Sequence, residues 1–277
     1  DRLKEFNTGL NEVIRSTEGW GIGLERVFGT VQSLITGGLP AQIALQKDLV
    51  LLTGQMSVIT KESADQIGAF FAKLMVGSRI TSDNLRYLSN SFFAMQKAAF
   101  DTKVLGAAQF GDLKESVTSV GTSLLIAASK GSEFTNKMTT DLVALTTLTK
   151  TLGISVADLN RHFTEASNLL SSPDSGFRAL LAISGGASIE NMLSGLYDRT
   201  SATLKMADSL AKLNVSLGNQ LNLTAQLAAQ SFGISQDTAI KLITMTQEQK
   251  MAMSRLQEDA ERLRLSLIHI SEPTRPE

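Results

Sequence analysis

The sequence predicts an all-α fold: multiple short-to-medium helices in a hairpin or bundle arrangement, without β-sheet. Three observations predict it. Apolar residues recur at helical spacing in almost every segment. No run alternates apolar and polar positions with the β-branched and aromatic enrichment of a strand. The breaks between apolar stripes carry glycine, proline or a side chain able to cap a helix.

Taken in order, Leu3, Phe6, Leu10, Val13 and Ile14 fall on one helical face. Leu24, Val27, Phe28, Val31, Leu34 and Ile35 form a second stripe, which Gly37, Gly38, Leu39 and Pro40 bring to an end. Pro40 suits the first turn of the next helix, which carries Ile43, Leu45, Leu49 and Leu52, because that turn has no use for the missing N–H. Thr60 or Ser63 can cap a helix bearing Ile67, Phe70, Phe71, Leu74 and Met75, with Gly77 near its end. Ser82 or Asp83 can cap the following one, with Leu85, Leu88, Phe92, Met95 and Ala99. Asp112 starts another, continuing through Leu113, Val117, Val120, Leu124 and Ile126. Within it, 117–129 reads as a core helix, being too short and interrupted for a bilayer span of about 20 apolar residues.

The stretch 171–176, Ser-Ser-Pro-Asp-Ser-Gly with Pro173 inside it, is the clearest loop. It separates a hairpin-rich region, 1–171, from a region of longer amphipathic helices, 172–264. One long amphipathic helix is expected over 189–229, striped by Leu196, Leu204, Ala207, Leu210, Leu217 and Leu221. The segment 246–264 is charge-dense, and Met253, Leu256, Ala260 and Leu263 alternate 3-4-3. Arg255 with Asp259, and Glu258 with Arg262, are i,i+4 pairs. This segment reads either as one exposed amphipathic helix or as the start of a coiled coil.

A short pattern recurs. Leu152, Gly153, Ile154 and Ser155 match Phe232, Gly233, Ile234 and Ser235, and Gly54, Gln55, Met56 and Ser57 make a looser third copy. Physically this is a helix–turn–helix joint. Glycine takes the left-handed conformation that ends one helix, isoleucine packs back, and serine caps the next. Gly153, Ser155, Gly233 and Ser235 are therefore assigned as structural helix joints, together with Pro40 and Pro173. The 80-residue offset between the two closer copies is too long for one two-helix solenoid unit.

Composition narrows the function. The chain has 277 residues, no cysteine, two histidines, 5% aromatic residues, and 26 basic against 27 acidic side chains. Without cysteine there is no disulfide framework and no thiolate nucleophile. Near-neutral charge argues against a general nucleic-acid binder, which needs a basic face. Gly19, Gly21 and Gly23 around Trp20 lack the strand–loop–helix context of a phosphate loop and read as a helix junction. His162 has Glu165 nearby but, with His269 set aside as part of the C-terminal stretch treated next, no second histidine or cysteine to complete a metal site. No residue is assigned to catalysis, cofactor binding or metal binding, and no small-molecule substrate is expected. Membrane contact is left open as an alternative but is not indicated.

The C-terminal stretch 265–275 reads L-S-L-I-H-I-S-E-P-T-R. It resembles, codon by codon, a translated transposase-type sequencing adapter, so 265–277 is expected to be a non-native tail. Leaving it out gives 25 basic and 25 acidic side chains. The chain is then expected to be a piece of a longer protein, with neither true terminus present.

These features together resemble the helical regions of bacteriophage tail tape-measure proteins. The resemblance rests on the Gly-Ile-Ser joints at 153–155 and 233–235, the small-residue stretch at 98–111 and the amphipathic stripe at 189–229. It covers most of 1–264 in texture and carries no family residue onto a position of this chain. It implies a non-enzymatic virion structural protein that occupies the tail tube and sets tail length. Its partners would be other tail proteins or its own helices, and its place the virion or, before assembly, the host cytoplasm. Two alternatives are a bacterial helical signalling or scaffold protein and a membrane-active ejection or pore-forming protein.

Overall fold

A computed structural model describes residues 8, 10–11, 13–15, 23–159 and 198–258. Among these residues the regular elements are all α-helices, and there is no strand. In chain order they are α1 (Leu24–Thr36), α2 (Ala41–Ala44), α3 (Lys47–Thr60), α4 (Ala64–Ser78), α5 (Ser82–Thr102), α6 (Phe110–Ser119), α7 (Gly121–Lys130), α8 (Ser132–Leu152), α9 (Arg199–Ser216), α10 (Leu221–Phe232), α11 (Gln236–Ile243) and α12 (247–258). Residues 8, 10–11, 13–15 and 156–159 are also helical.

The chain forms two compact units. Unit 1 comprises 1–90 and 121–139, and unit 2 comprises 91–120 and 140–277. The expected boundary at 171/172 lies outside the described residues; in this division α5 and α8 each contribute residues to both units. A boundary inside a continuous helix leaves no loop signal in the sequence.

In unit 1, α1 packs on α3 and α4, and α4 on α7. Val27, Val31, Leu34, Leu49, Met56, Ile67 and Phe71 form its interior. Phe28 and Ile35, expected in the α1 stripe, are exposed instead, since the buried face turns toward Thr30 and Leu34. The α1–α4 seam has two close approaches at small residues. A methyl group on Gly37 would lie 2.4 Å from the Ala72 Cβ, and one on Gly68 would lie 2.0 Å from the Ser33 hydroxyl. Side chains this small let two helix backbones approach closely, which is how the seam excludes space without large apolar residues.

Helix ends follow side-chain chemistry. Of the two expected caps for α4, Ser63 accepts the Gln66 N–H at 3.2 Å. The cap of α5 is Thr81 rather than Ser82 or Asp83: Thr81 Oγ1 accepts from the Asn84 N–H, and Asn84 Oδ1 accepts from the Thr81 N–H. Gln109 precedes α6, and Asp112 reaches back to the Gln109 N–H at 2.7 Å. Asp112 is thus the third residue of the helix, not its start. In contrast, α3 and α4 end on Lys61 and Arg79, both left-handed at φ 61° and 53°.

Three expected helices are interrupted. The segment after Pro40 is a four-residue helix, with Pro40 before its first residue, and α3 begins anew at Lys47. The expected core helix at 117–129 breaks at Val120, whose N–H bonds back to Val117, and its two parts belong to different units. The described part of the expected 189–229 helix ends at Ser216 and resumes at Leu221. The intervening Gly218 and Asn219 both have positive φ, so the apolar stripe continues across a turn.

In unit 2, α8 is buried on all sides over 141–149. A helix apolar all round belongs in an interior, yet this one is rich in threonine. Thr146 and Thr147 donate to the carbonyls of Leu142 and Val143 at 2.7 and 3.1 Å. Each hydroxyl has a carbonyl partner within the helix, so the threonines can be buried without an unsatisfied donor while their methyl groups pack. Thr146 also donates to Ser116 Oγ on α6 at 2.7 Å.

Candidate functional site

The most unusual side-chain environment among the described residues is in unit 2. Asp141 lies on α8, between neighbours with no charge of their own, and is buried. Its carboxylate accepts the backbone N–H of Arg199 at 2.8 Å and of Thr200 at 3.1 Å, while Thr200 Oγ1 donates to the Asp141 carbonyl. These are the first N–H groups of α9, which have no partner inside their own helix. Asp141 therefore holds the start of a helix about 60 residues further on, and the helix dipole favours its charge there. Asp198 caps the same helix locally by accepting the Ser201 N–H at 3.1 Å.

Burial pushes the Asp141 carboxyl up to about 6, and the charge of Asp198 adds to this. The hydrogen bonds from Thr200 and Arg199 pull the other way without winning. Burial lowers the Arg199 guanidinium, and Asp141 opposes that. The arrangement is a polar tie between two helices. It offers one carboxylate already occupied by two donors, which is a poor starting point for proton transfer to a substrate.

The Gly-Ile-Ser joints lie in the same unit. Gly153 takes φ +64° after α8, and the Ile154 N–H bonds to the Thr149 carbonyl at 3.0 Å. Gly233 takes φ +65° after α10, and its own N–H bonds to the Ala229 carbonyl at 3.1 Å. Both geometries are left-handed helix ends that a β-branched residue adopts only with strain. Ile154 and Ile234 are both buried. Ser155 Oγ accepts from the Ala157 N–H, and Ser235 Oγ from the Thr238 N–H, each at 3.1 Å. The third copy is different. Gly54, Met56 and Ser57 lie buried inside α3, where an uninterrupted run of apolar contacts keeps the helix going through glycine.

The two joints touch each other. Thr238 Oγ1 donates to Asp158 Oδ2 at 3.0 Å, and Lys241 Nζ donates to the Gly153 carbonyl at 2.7 Å and to Asp237 at 2.6 Å. A cation over the last carbonyls of α8 complements the negative end of that helix.

Pro40 stands alone in unit 1, at the α1 to α2 turn. Gly23 precedes α1 and lines an open cleft of about 880 Å³ in unit 1. Arg26, Lys61, Glu62 and Asp65 bring charges of both signs to it, so it favours no one ligand charge. Pro173, His162, Glu165, Trp20 and residues 19–22 lie outside the described residues, as does the expected loop at 171–176. Among the described residues no group of three histidine, cysteine or acidic side chains is placed to hold a metal ion. No described helix is long and apolar enough to cross a membrane.

Asp141 escaped sequence reasoning because its partners are distant in the chain. Its one signal is a lone acid between the threonine run and Leu142, Val143, Ala144 and Leu145. No protein-family model, no curated protein and no solved structure matches this chain.

Proposed function

We propose that this protein works by helix packing within a larger assembly, not by catalysis, and that the assembly is a phage tail in which it serves as a tape-measure-like component. The construction of the described chain carries the reading. Short helices are joined by locally capped turns, and their polar side chains are spent on helix ends and interhelix ties. Helices joined by locally capped turns can open segment by segment, so parts of such a chain can be stored and released in steps. The longest helices, α5 and α8, have 21 residues each and extend about 31 Å at 1.5 Å per residue. That is how a helical chain converts residue count into distance. The partners would be tail proteins and further helices of the same kind, and the place of action the virion.

The test is localisation in purified particles from a host carrying the full gene. Detection inside tails, with in-frame deletion of helical segments shortening tails in proportion, supports the reading. Tails of normal length after such deletions would refute it.

A further inference from the structure

Two segments 80 residues apart carry the same joint, 152–155 and 232–235. Aligning them makes Asp158 the counterpart of Thr238. The sequence also has a basic residue at the next corresponding pair, Arg161 and Lys241. Asp158 and Thr238 are the two residues that meet, at 3.0 Å. In a repeat related by simple translation, a residue contacts a different position of the neighbouring copy. Contact between a residue and its own counterpart is the signature of isologous pairing about a two-fold axis.

The second contact has the direction that such an axis requires. Lys241 lies three residues after Thr238, whereas the carbonyl it reaches, Gly153, lies five residues before Asp158. The contacts thus run in opposite directions along the two copies. The copies share left-handed glycines at φ +64° and +65° and buried isoleucines, and in both the serine hydroxyl accepts a backbone N–H of the following turn, from two residues on at Ser155 and three residues on at Ser235.

We propose that 152–159 and 232–239 are two copies of one self-recognising joint, paired about a local two-fold axis. The binding partner of each Gly-Ile-Ser joint is a second joint of the same design. Recognition uses a hydroxyl–carboxylate bond at the axis and an ammonium over the carbonyl of the opposite glycine. The proposal stands independently of the virion reading, since it concerns how this chain recognises itself.

Exchanging the two axial residues tests it in the full chain. Asp158→Thr alone leaves two hydroxyls at the axis, and Thr238→Asp alone brings two carboxylates together. Both single variants should lower the urea midpoint of unfolding, and the loss in Thr238→Asp should shrink as pH falls. The double exchange recreates the same bond with its direction reversed. Each exchanged residue also has a serine three positions before it. Its midpoint should return to that of the unsubstituted chain. A double variant no more stable than the worse single, or one that does not fold, would overturn the two-fold pairing. The absence of native cysteine allows a second reading. Asp158→Cys with Thr238→Cys should oxidise to an intramolecular disulfide and raise the midpoint. Failure to crosslink in a chain that remains helical would contradict the pairing.

Discussion

In unit 1 the decisive contact is steric, and in unit 2 it is polar. The α1–α4 seam depends on Gly37 and Gly68 having no side chain. In unit 2 the helix α8 is buried all round and spends its polar atoms on carbonyls, on Ser116 and on the start of α9. A close approach at glycine responds to volume. A buried carboxylate responds to protons. Two units of the same secondary structure should therefore fail under different perturbations.

The largest expected effect is at Asp141. Asp141→Leu leaves two N–H groups of α9 and the buried Arg199 without their carboxylate, and should destabilise the chain by about 3–5 kcal/mol. Chemical denaturation with a probe in unit 2 would measure it. A loss under about 1 kcal/mol would mean that water or another group replaces the carboxylate readily.

Next comes pH. The folded-state carboxyl of Asp141 titrates near 6, above its ordinary 3.8. Between those values the folded chain holds a proton that the unfolded chain lacks. The stabilising contribution is therefore fully present below about pH 3.8 and is lost as pH rises through about 6. It amounts to up to about 3 kcal/mol from the linkage relation. Comparing unfolding of the unsubstituted chain with Asp141→Asn across this window isolates it, because the variant lacks the titration. Identical pH profiles would show that Asp141 does not titrate differently on folding.

The steric side of the comparison is sharpened by Gly37→Ala. Its backbone φ is −72°, so the substitution carries no left-handed strain and reads chiefly the contact with Ala72, with a closer approach to the Ser33 carbonyl beside it. A cost of about 1–3 kcal/mol is expected from overpacking, and Ala72→Gly in the same chain should recover part of it. Additive losses in the double variant would mean that the two residues do not meet. Smaller again are the joints: Gly153→Val and Gly233→Val should each cost about 1–2 kcal/mol, the penalty of left-handed backbone for a β-branched residue. Equal stability of both variants and the parent chain would remove the joints from the account.

The helical class and many helix ends were legible because their causes are local. Ser63, Ser235, Gly153 and Gly233 act on backbone within a few residues of themselves. The breaks at Val120 and after Ser216 were not legible as breaks, because apolar spacing persists across them. Lys61 and Arg79 gave no signal at all, since nothing in their chemistry asks for positive φ. The pairing of Asp158 with Thr238 and the tie from Asp141 to α9 depend on tertiary placement. A single sequence shows the residues of such ties without their partners.

Native-state hydrogen exchange, resolved by segment and corrected for intrinsic rates, tests the contrast between the units most directly. On moving from about pH 7.5 to about pH 5, protection should rise in 140–152 and α9 as Asp141 takes up its proton, while α1 and α4 should not change. The same change in protection in both units, or none in unit 2, would contradict the account.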